Sequence, residues 1–162
     1  MLWGDRKLFA IEADFEDSSG KWRFGKLMIW LGGRPLGDDE DTADLASAGR
    51  WGRTFLAASA QRTRPDLELL TIEQVFFQLY LQYIVGPPSG STTGWNQKPY
   101  VLDELGESSV RDKHAIVAFR NADGRDCVMA YCWKTEEIWQ VILEPGQLDQ
   151  IIDQFCRWTE TL

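Results

Sequence analysis

Alternating apolar and polar residues near the start of the chain predict a β-hairpin. In residues 7–16 the apolar residues from Phe9 to Phe15 alternate with three acidic residues, Glu12, Asp14 and Glu16, which is the period of a strand with one buried face. A turn cluster follows at residues 17–20, and residues 22–31 are then apolar on both faces. We therefore expect the second strand to lie inside a sheet and not at its edge.

An acidic run at residues 38–41 precedes the first predicted helix, which spans residues 42–60. Asp41 or Thr42 is expected to cap this helix, because acidic and hydroxyl side chains suit the positive end of the helix dipole. Two glycines, Gly49 and Gly52, weaken the helical pattern.

The remaining elements are a second helix, three strands and a final helix. The second helix is predicted to begin after Thr71, because Gln74 stands three residues later, as in a capping box. The final helix follows Pro145 and carries apolar residues at helical spacing: Leu148, Ile151, Ile152 and Phe155. Strands are expected at residues 114–119, 127–133 and 138–143. The order β-β-α-α-β-β-β-α predicts an α+β fold, with a mainly antiparallel sheet of about five strands packed by helices.

A long polar loop separates the second helix from the strands that follow it. Residues 86–113 are rich in Gly, Pro, Ser and Thr, and a loop of this length in a compact domain is either functional or mobile. Four apolar residues suggest that part of it packs onto the domain: Trp95, Tyr100, Val101 and Leu102. With 162 residues, the chain fits one domain spanning residues 1–162.

The chain is acidic, with 17 Lys and Arg against 25 Asp and Glu and a formal net charge of −8. An acidic surface repels nucleic-acid backbones and anionic lipid headgroups, and it speeds the encounter with basic proteins. The alternative is that the charge serves solubility alone. We therefore expect neither a nucleic acid nor a membrane as partner, and a basic protein is favoured.

The three cysteines are Cys127, Cys132 and Cys156. Their number is odd, and Cys127 and Cys132 should point to opposite faces of one strand, so we expect reduced, buried thiols in a cytoplasmic protein. No positively charged stretch leads into an apolar run of signal-peptide length, and no apolar run is long enough to span a bilayer.

No residues in the sequence have the spacing of a catalytic or metal site. His114 is the only histidine and begins an apolar strand, and no serine lies in a nucleophile motif. Zinc sites need paired Cys and His ligands, and the acidic run lacks the alternating ligands and central glycine of a calcium loop. We therefore predict a protein that is not an enzyme and that uses no cofactor and no metal.

Eight tryptophans are many for a chain of this length. Four lie in predicted strands and are expected in the core: Trp22, Trp30, Trp133 and Trp139. The others are less easily placed: Trp3, Trp51, Trp95 and Trp158. An exposed tryptophan is typical of an anchor in a protein interface.

A series of short motifs in residues 2–38 has a recognisable order and spacing: Gly4-Asp5, Phe9-Ala10-Ile11-Glu12, Trp22-Arg23-Phe24-Gly25-Lys26, Trp30 and Leu36-Gly37-Asp38. This series resembles the opening of immunity protein family 42, whose members are bacterial proteins encoded beside polymorphic or contact-dependent toxins. At Gly32-Gly33 the sequence departs from the family's Asn-Gly-type turn. The resemblance implies a stoichiometric inhibitor that binds its cognate toxin domain in the cytoplasm, without catalysis and without a cofactor.

Two acidic regions are the predicted contacts for such a toxin, because many antibacterial toxin domains are nucleases with basic clefts that an acidic protein can fill. The first region is an acidic turn with a neighbouring residue: Asp38, Asp39, Glu40, Asp41 and Asp44. The second lies in the long loop: Trp95, Asp103, Glu104 and Glu107. The alternatives are a helix cap for the first region and a solvated loop for the second.

Two other functions stay open from the sequence. One is a small enzyme that uses the carboxylates of Asp103 or Glu104 in a crevice beside the long loop. The other is an adaptor domain that self-associates as a homodimer and buries Trp95 or Trp158.

Overall fold

The computed structural model describes residues 1–38, 40–85, 99–106 and 110–162, with the backbone alone for residues 81–85. The strands are β1 (Leu2–Gly4), β2 (Phe9–Ser19), β3 (Trp22–Leu31), β4 (Arg34–Leu36), β5 (Ala43–Asp44), β6 (His114–Arg120), β7 (Asp126–Cys132) and β8 (Ile138–Leu143). The helices are α1 (Leu45–Ala57), α2 (Ile72–Val85) and α3 (Gln147–Thr159). Three short 3-10 helices complete the described elements: η1 (Ser59–Arg62), η2 (Pro65–Leu69) and η3 (Asp103–Gly106).

The strands form two antiparallel sheets. In the first sheet the order is β1-β2-β3-β4, and β5 also pairs with β3. The second sheet is the meander β6-β7-β8, and a turn at residues 121–124 joins its first two strands. Because β3 has paired strands on both sides, its predicted position inside a sheet is confirmed.

Two hydrophobic clusters hold these layers together. The larger cluster lies among the first sheet, α1, α3 and one face of the second sheet, and it includes Ile29, Leu45 and Phe155. The smaller cluster lies between the other face of the second sheet and α2, and it includes Phe76 and Val117. Each buried Leu, Ile or Phe side chain stabilises the fold by roughly 1.5–3 kcal/mol. The second sheet is thus covered on both faces, whereas the described helices cover one face of the first sheet.

The predicted α+β class and the order of the longer elements are confirmed. The strands divide into two sheets, and three additional strands are present, β1, β4 and β5, each two or three residues long. Segments this short contain no apolar period that sequence analysis can detect. Their extended conformation depends on the long strands beside which they lie.

Local hydrogen bonds determine where two of the helices begin. The predicted capping box is confirmed, since the Gln74 N–H donates to Thr71 Oγ1 at 3.3 Å and the Thr71 N–H donates to Gln74 Oε1 at 3.0 Å. The predicted cap of the first helix at Asp41 or Thr42 is wrong. Helix α1 is capped by Asp44, because pairing of β5 with β3 keeps the preceding backbone extended.

Part of the predicted long loop packs onto the domain, as expected. Val101 forms a bridge with Val117 of β6, and Leu102 and Leu105 lie in the larger hydrophobic cluster. Residues 99–106 therefore contribute to the core. The stretches on either side, residues 86–98 and 107–109, lie outside the described residues.

The three cysteines are free thiols. Cys127 and Cys156 are buried, as expected, whereas Cys132 is partly exposed. Burial raises the pKa of Cys127 to about 12 and the pKa of Cys156 to about 11. Both buried thiols are therefore protonated, and unreactive as nucleophiles, at neutral pH.

The glycines of α1 allow this helix to approach α3 closely. A Cβ atom added to Gly49 would lie 2.0 Å from Thr159 Oγ1, and one added to Gly52 would lie 2.6 Å from Cys156 Sγ. Because the two helices are so close, the Cys156 thiol donates a hydrogen bond to the Gly49 carbonyl oxygen at 3.3 Å. Residues that weaken the helical pattern in the sequence are thus required by the packing of two helices.

We expect Gly49→Ala to lower the free energy of unfolding by about 1–2 kcal/mol. Alanine improves the helix propensity by up to about 1 kcal/mol, but overpacking against Thr159 costs about 1–3 kcal/mol. Urea unfolding of the variant measures the net effect. Thr159→Ala in the same chain should remove most of the loss, and an unchanged loss in the double variant would show that the clash is not its cause.

Candidate functional site

The acidic turn, residues 38–41, is held against the domain by two lysines. Lys113 donates a short hydrogen bond to Asp38 Oδ2, and this bond holds the pKa of Asp38 below its usual value. Lys26 Nζ donates to the carbonyl oxygens of Glu40 at 2.8 Å and Asp41 at 3.4 Å. Because Lys26 uses backbone oxygens here, the exposed carboxylates of Glu40 and Asp41 are available to a partner.

Asp44, another of the predicted contact residues, is buried in the described structure. Its side chain is 7% exposed, and its Oδ1 accepts the Ala46 and Arg23 N–H groups, each at 3.2 Å. These bonds satisfy the N-terminus of α1 and join it to β3. The structural alternative, a helix cap, thus holds for this residue of the acidic region.

Asp103 is also enclosed. Its side chain is 0% exposed, and burial together with the nearby Glu104 carboxylate raises the pKa of Asp103 to about 7. Glu104 is mostly covered and pairs with Arg111 at 3.1 Å. In the isolated chain, neither of these two predicted contact residues presents an open carboxylate.

The two predicted acidic regions are anchored to one short segment before β6. The acidic turn reaches it through Lys113, and η3 reaches it through Arg111. Three of the predicted contact residues, Asp39, Trp95 and Glu107, lie outside the described residues.

The outer face of the first sheet carries an apolar stripe that sequence analysis did not identify as exposed. We use the term outer stripe for four residues that alternate along β3: Trp22, Phe24, Met28 and Trp30. Neither hydrophobic cluster of the described residues includes them. The predicted core position of Trp22 is wrong, since its side chain is 44% exposed.

Acidic residues of β2 lie beside the outer stripe. Glu12 pairs with Met28 and Asp14 with Lys26, so these side chains share the outer face. A β-bulge between Phe15 and Asp17 then shifts the register and pairs Asp17 with Phe24. The bulge therefore adds a third carboxylate to this edge of the stripe.

The two ends of the outer stripe differ in exposure. At one end the Arg6 guanidinium lies 4.9 Å from the Trp30 ring centroid, and Trp30 Nε1 donates to Glu12 Oε2 at 2.9 Å. At the other end Trp22 lies in the last pair of the hairpin. Here Gly20 has φ of +59°, which suits a tight turn between β2 and β3.

Four of the other described tryptophans have contacts within the domain. The predicted core position of Trp133 is wrong, since its side chain is 41% exposed. Its ring packs on Tyr131 with ring centroids 4.9 Å apart, and its Nε1 donates to the Arg111 carbonyl at 3.2 Å. Trp139 donates from Nε1 to the Leu31 carbonyl at 3.2 Å. Trp158 packs against Trp3 with ring centroids 5.1 Å apart.

The remaining candidates for chemistry have structural surroundings. His114 is half-buried with its ring 6.1 Å from that of Trp139, and burial lowers the pKa of His114, so the imidazole is neutral at pH 7. Among the described residues, no three His, Cys, Asp or Glu side chains form a group that could hold a metal ion. No helix in the described part of the chain has the length and hydrophobicity that crossing a membrane requires.

Comparisons with known proteins identify a solved structure with a similar fold and the family of this chain. The chain is similar to CdiI from Burkholderia dolosa AUO158 in its crystal structure, with a TM-score of 0.72 and 16% sequence identity over 98% of this chain and 99% of that chain. A comparison with curated proteins gives no significant match. The family model of Immunity protein 42 matches residues 1–158, which extends the resemblance of residues 2–38 to nearly the whole sequence. The chain therefore belongs to the Immunity protein 42 family.

Proposed function

We propose that this protein neutralises a cognate antibacterial toxin by binding the toxic domain directly in the cytoplasm of the producing cell. The observation that carries the proposal is the family match over residues 1–158. The fold shared with CdiI from Burkholderia dolosa supports it. The exposed acidic and aromatic residues on the outer face of the first sheet suit binding of a protein partner.

The charge of the chain favours a toxin with a basic surface, such as a nuclease with a phosphate-binding cleft. The net charge is −8, and Glu40 and Asp41 present exposed carboxylates on one turn. Complementary charge accelerates association, which benefits an inhibitor because free toxin remains active until it is bound.

Direct binding is tested with the toxin domain encoded beside this chain. Co-expression should restore growth of cells that make the toxin, and the purified proteins should form a tight 1:1 complex. Calorimetric titration measures both the affinity and the stoichiometry. Absence of a complex, together with absence of growth rescue, would refute the proposed function.

The contribution of the acidic turn is tested by charge reversal at Glu40 and Asp41. Asp38 is left unchanged, because its carboxylate holds Lys113. We expect Glu40→Lys with Asp41→Lys to slow association with the toxin about tenfold at low salt and to weaken the dependence of the rate on salt. Stopped-flow kinetics at several salt concentrations measure both effects.

A matched control separates local charge from net charge. Glu136→Lys with Glu144→Lys makes the same change of charge at exposed positions in turns beside the second sheet. This control should change the association rate less than the first pair does. Equal slowing by both pairs would assign the effect to net charge and would place the contact elsewhere.

The structure does not favour the two alternative functions. Asp103 is fully enclosed, and the small crevice near it is lined by Trp51, Thr54, Phe55 and three aliphatic residues without a carboxylate. Within the described part of the chain, the Asp103 carboxylate is therefore not exposed to a substrate in solution. For the adaptor hypothesis, Trp158 packs against Trp3 and Phe155 of its own chain.

A further inference from the structure

The outer stripe presents more apolar surface than the fold of the described residues uses. Its inward-facing neighbours on β3, Leu27, Ile29 and Leu31, are at most 2% exposed and belong to the larger cluster. The described helices α1 and α3 pack on that inner face, and α2 packs on the second sheet. The stripe residues therefore lie outside the packing of these three helices.

The two long edges of the outer stripe are acidic. On one edge β2 contributes Glu12, Asp14 and Asp17 through direct cross-strand pairs. Glu12 pairs with Arg6 and Asp14 with the N-terminal amine, so the exposed Asp17 is the carboxylate of this edge best placed for a cation of a partner. On the other edge Lys26 holds the acidic turn next to β3, with Glu40 and Asp41 exposed. An apolar centre with a charged rim is the usual arrangement of a protein-binding surface.

We propose that the outer face of the first sheet is the surface that binds the toxin, and that it receives a basic surface of that protein. This inference rests on the proposed function and deepens it. Trp22, exposed at the open end of the stripe, is the main anchor, with Phe24 and Met28 beside it. The acidic edges then pair with lysine or arginine side chains around the apolar contact.

Charge complementarity selects a basic protein over the other occupants of this face. A symmetric dimer through the stripe would place two acidic edges against each other, and like charges in contact oppose association. Phosphate groups of nucleic acid or lipid would meet the same repulsion. Lysine and arginine side chains of a partner can instead form ion pairs with Asp17 on one edge and with Glu40 and Asp41 on the other.

The decisive measurement is the affinity of Trp22→Ala for the purified toxin domain. We expect the dissociation constant to rise about 30-fold or more, as for an aromatic anchor that a partner covers on binding. Trp133→Ala is the matched control, because Trp133 has nearly the same exposure, 41% against 44% for Trp22, but lies directly after β7 of the second sheet. The control should change the dissociation constant less than about threefold.

A second variant keeps the test valid if Trp22→Ala does not fold. Asp17→Lys reverses an exposed charge next to Phe24 and should slow association several-fold at low salt. Glu136→Lys is its control. Circular dichroism of every variant establishes that the fold is retained before binding is compared.

The outcomes distinguish this inference from the function on which it rests. A wild-type chain that neither binds the toxin nor rescues growth refutes the proposed function and the inference with it. A wild-type chain that binds, with Trp22→Ala and Asp17→Lys equal to their controls, refutes the inference alone. A wild-type dimer that Trp22→Ala converts to a monomer in analytical ultracentrifugation would assign the stripe to a second copy of the chain and would also overturn it.

Discussion

Replacing Arg62 with Met should lower the free energy of unfolding by about 3 kcal/mol, because the substitution leaves the Phe55 carbonyl and Asp149 without the enclosed guanidinium that donates to them. In a domain of this size, such a loss corresponds to a fall in melting temperature of roughly 6–12 °C. Chemical unfolding of the two proteins at pH 7 measures the difference directly.

The expected size follows from the contacts of the Arg62 side chain, which is 0% exposed. The guanidinium donates to the Phe55 carbonyl and to Asp149 Oδ1, and it lies 3.9 Å from the centroid of the Phe55 ring. These contacts join η1 to both α1 and α3. Arg120 also donates to Asp149, at 2.9 Å, so Asp149 keeps one cationic partner in the variant. Removing one partner of a buried pair costs about 3–5 kcal/mol. Asp149 is 26% exposed and keeps Arg120 as a partner, so we expect a loss at the lower end of this range.

Arg157→Met is the control for the Arg62 prediction. Arg157 forms a similar ion pair with Asp153 at 2.7 Å, but its side chain is 74% exposed. Exposed pairs one helical turn apart contribute only about 0.3–0.5 kcal/mol. If both variants lost the same small amount of stability, the network around Arg62 would contribute no more than a surface ion pair.

Asp103→Asn should make the protein more stable than the wild type at alkaline pH, with the advantage shrinking as the pH falls. We expect the advantage at pH 8 to exceed that at pH 5 by about 2–3 kcal/mol, from a pKa that rises from 3.8 to about 7 on folding. Urea unfolding of both proteins at the two pH values tests this. Groups that titrate in both proteins cancel in the comparison.

The sign follows from where the proton is bound. Burial disfavours the Asp103 carboxylate, so the folded protein keeps the proton up to about pH 7, whereas the unfolded chain releases it near the ordinary value of 3.8. Between these two values the folded state binds more protons than the unfolded state, and wild-type stability therefore falls as the pH rises. Above about pH 7 both states are ionised and the loss stays constant. In the described structure Asp103 Oδ2 is buried without a hydrogen-bond partner, which agrees with this cost.

The control for the Asp103 prediction is Asp112→Asn. Asp112 is an exposed acid on the segment before β6, so its substitution should change stability by a few tenths of a kcal/mol at either pH. An advantage of Asp103→Asn that is the same at pH 5 and pH 8 would show that the carboxylate does not titrate in this range.

The longer elements could be predicted from the sequence because local patterns determine them. The apolar positions of α3, the capping box at Thr71 and the alternation in β2 each depend on residues only a few positions apart. The cap of α1 could not be predicted in the same way. Asp41, Thr42 and Asp44 are all acceptable caps by type, and pairing of β5 with β3 selects Asp44.

The candidate surface was only partly predictable. The acidic turn was identified from its charge, and Glu40 and Asp41 are indeed exposed. Asp44 and Asp103 are equally acidic, but the structure buries both. Local sequence contains no measure of burial by distant elements, which is why composition alone grouped exposed and enclosed carboxylates together.

The sequence by itself determined the family, the α+β class, the acidic character and the apolar nature of both faces of β3, because each of these depends on residue type and short-range spacing. Only the tertiary structure decided which face of β3 is covered. It also decided that a bulge turns Asp17 towards Phe24, and that two glycines form the contact between α1 and α3. The physical reason is that burial, register and helix contact arise from segments far apart in the chain, whose approach no local pattern records.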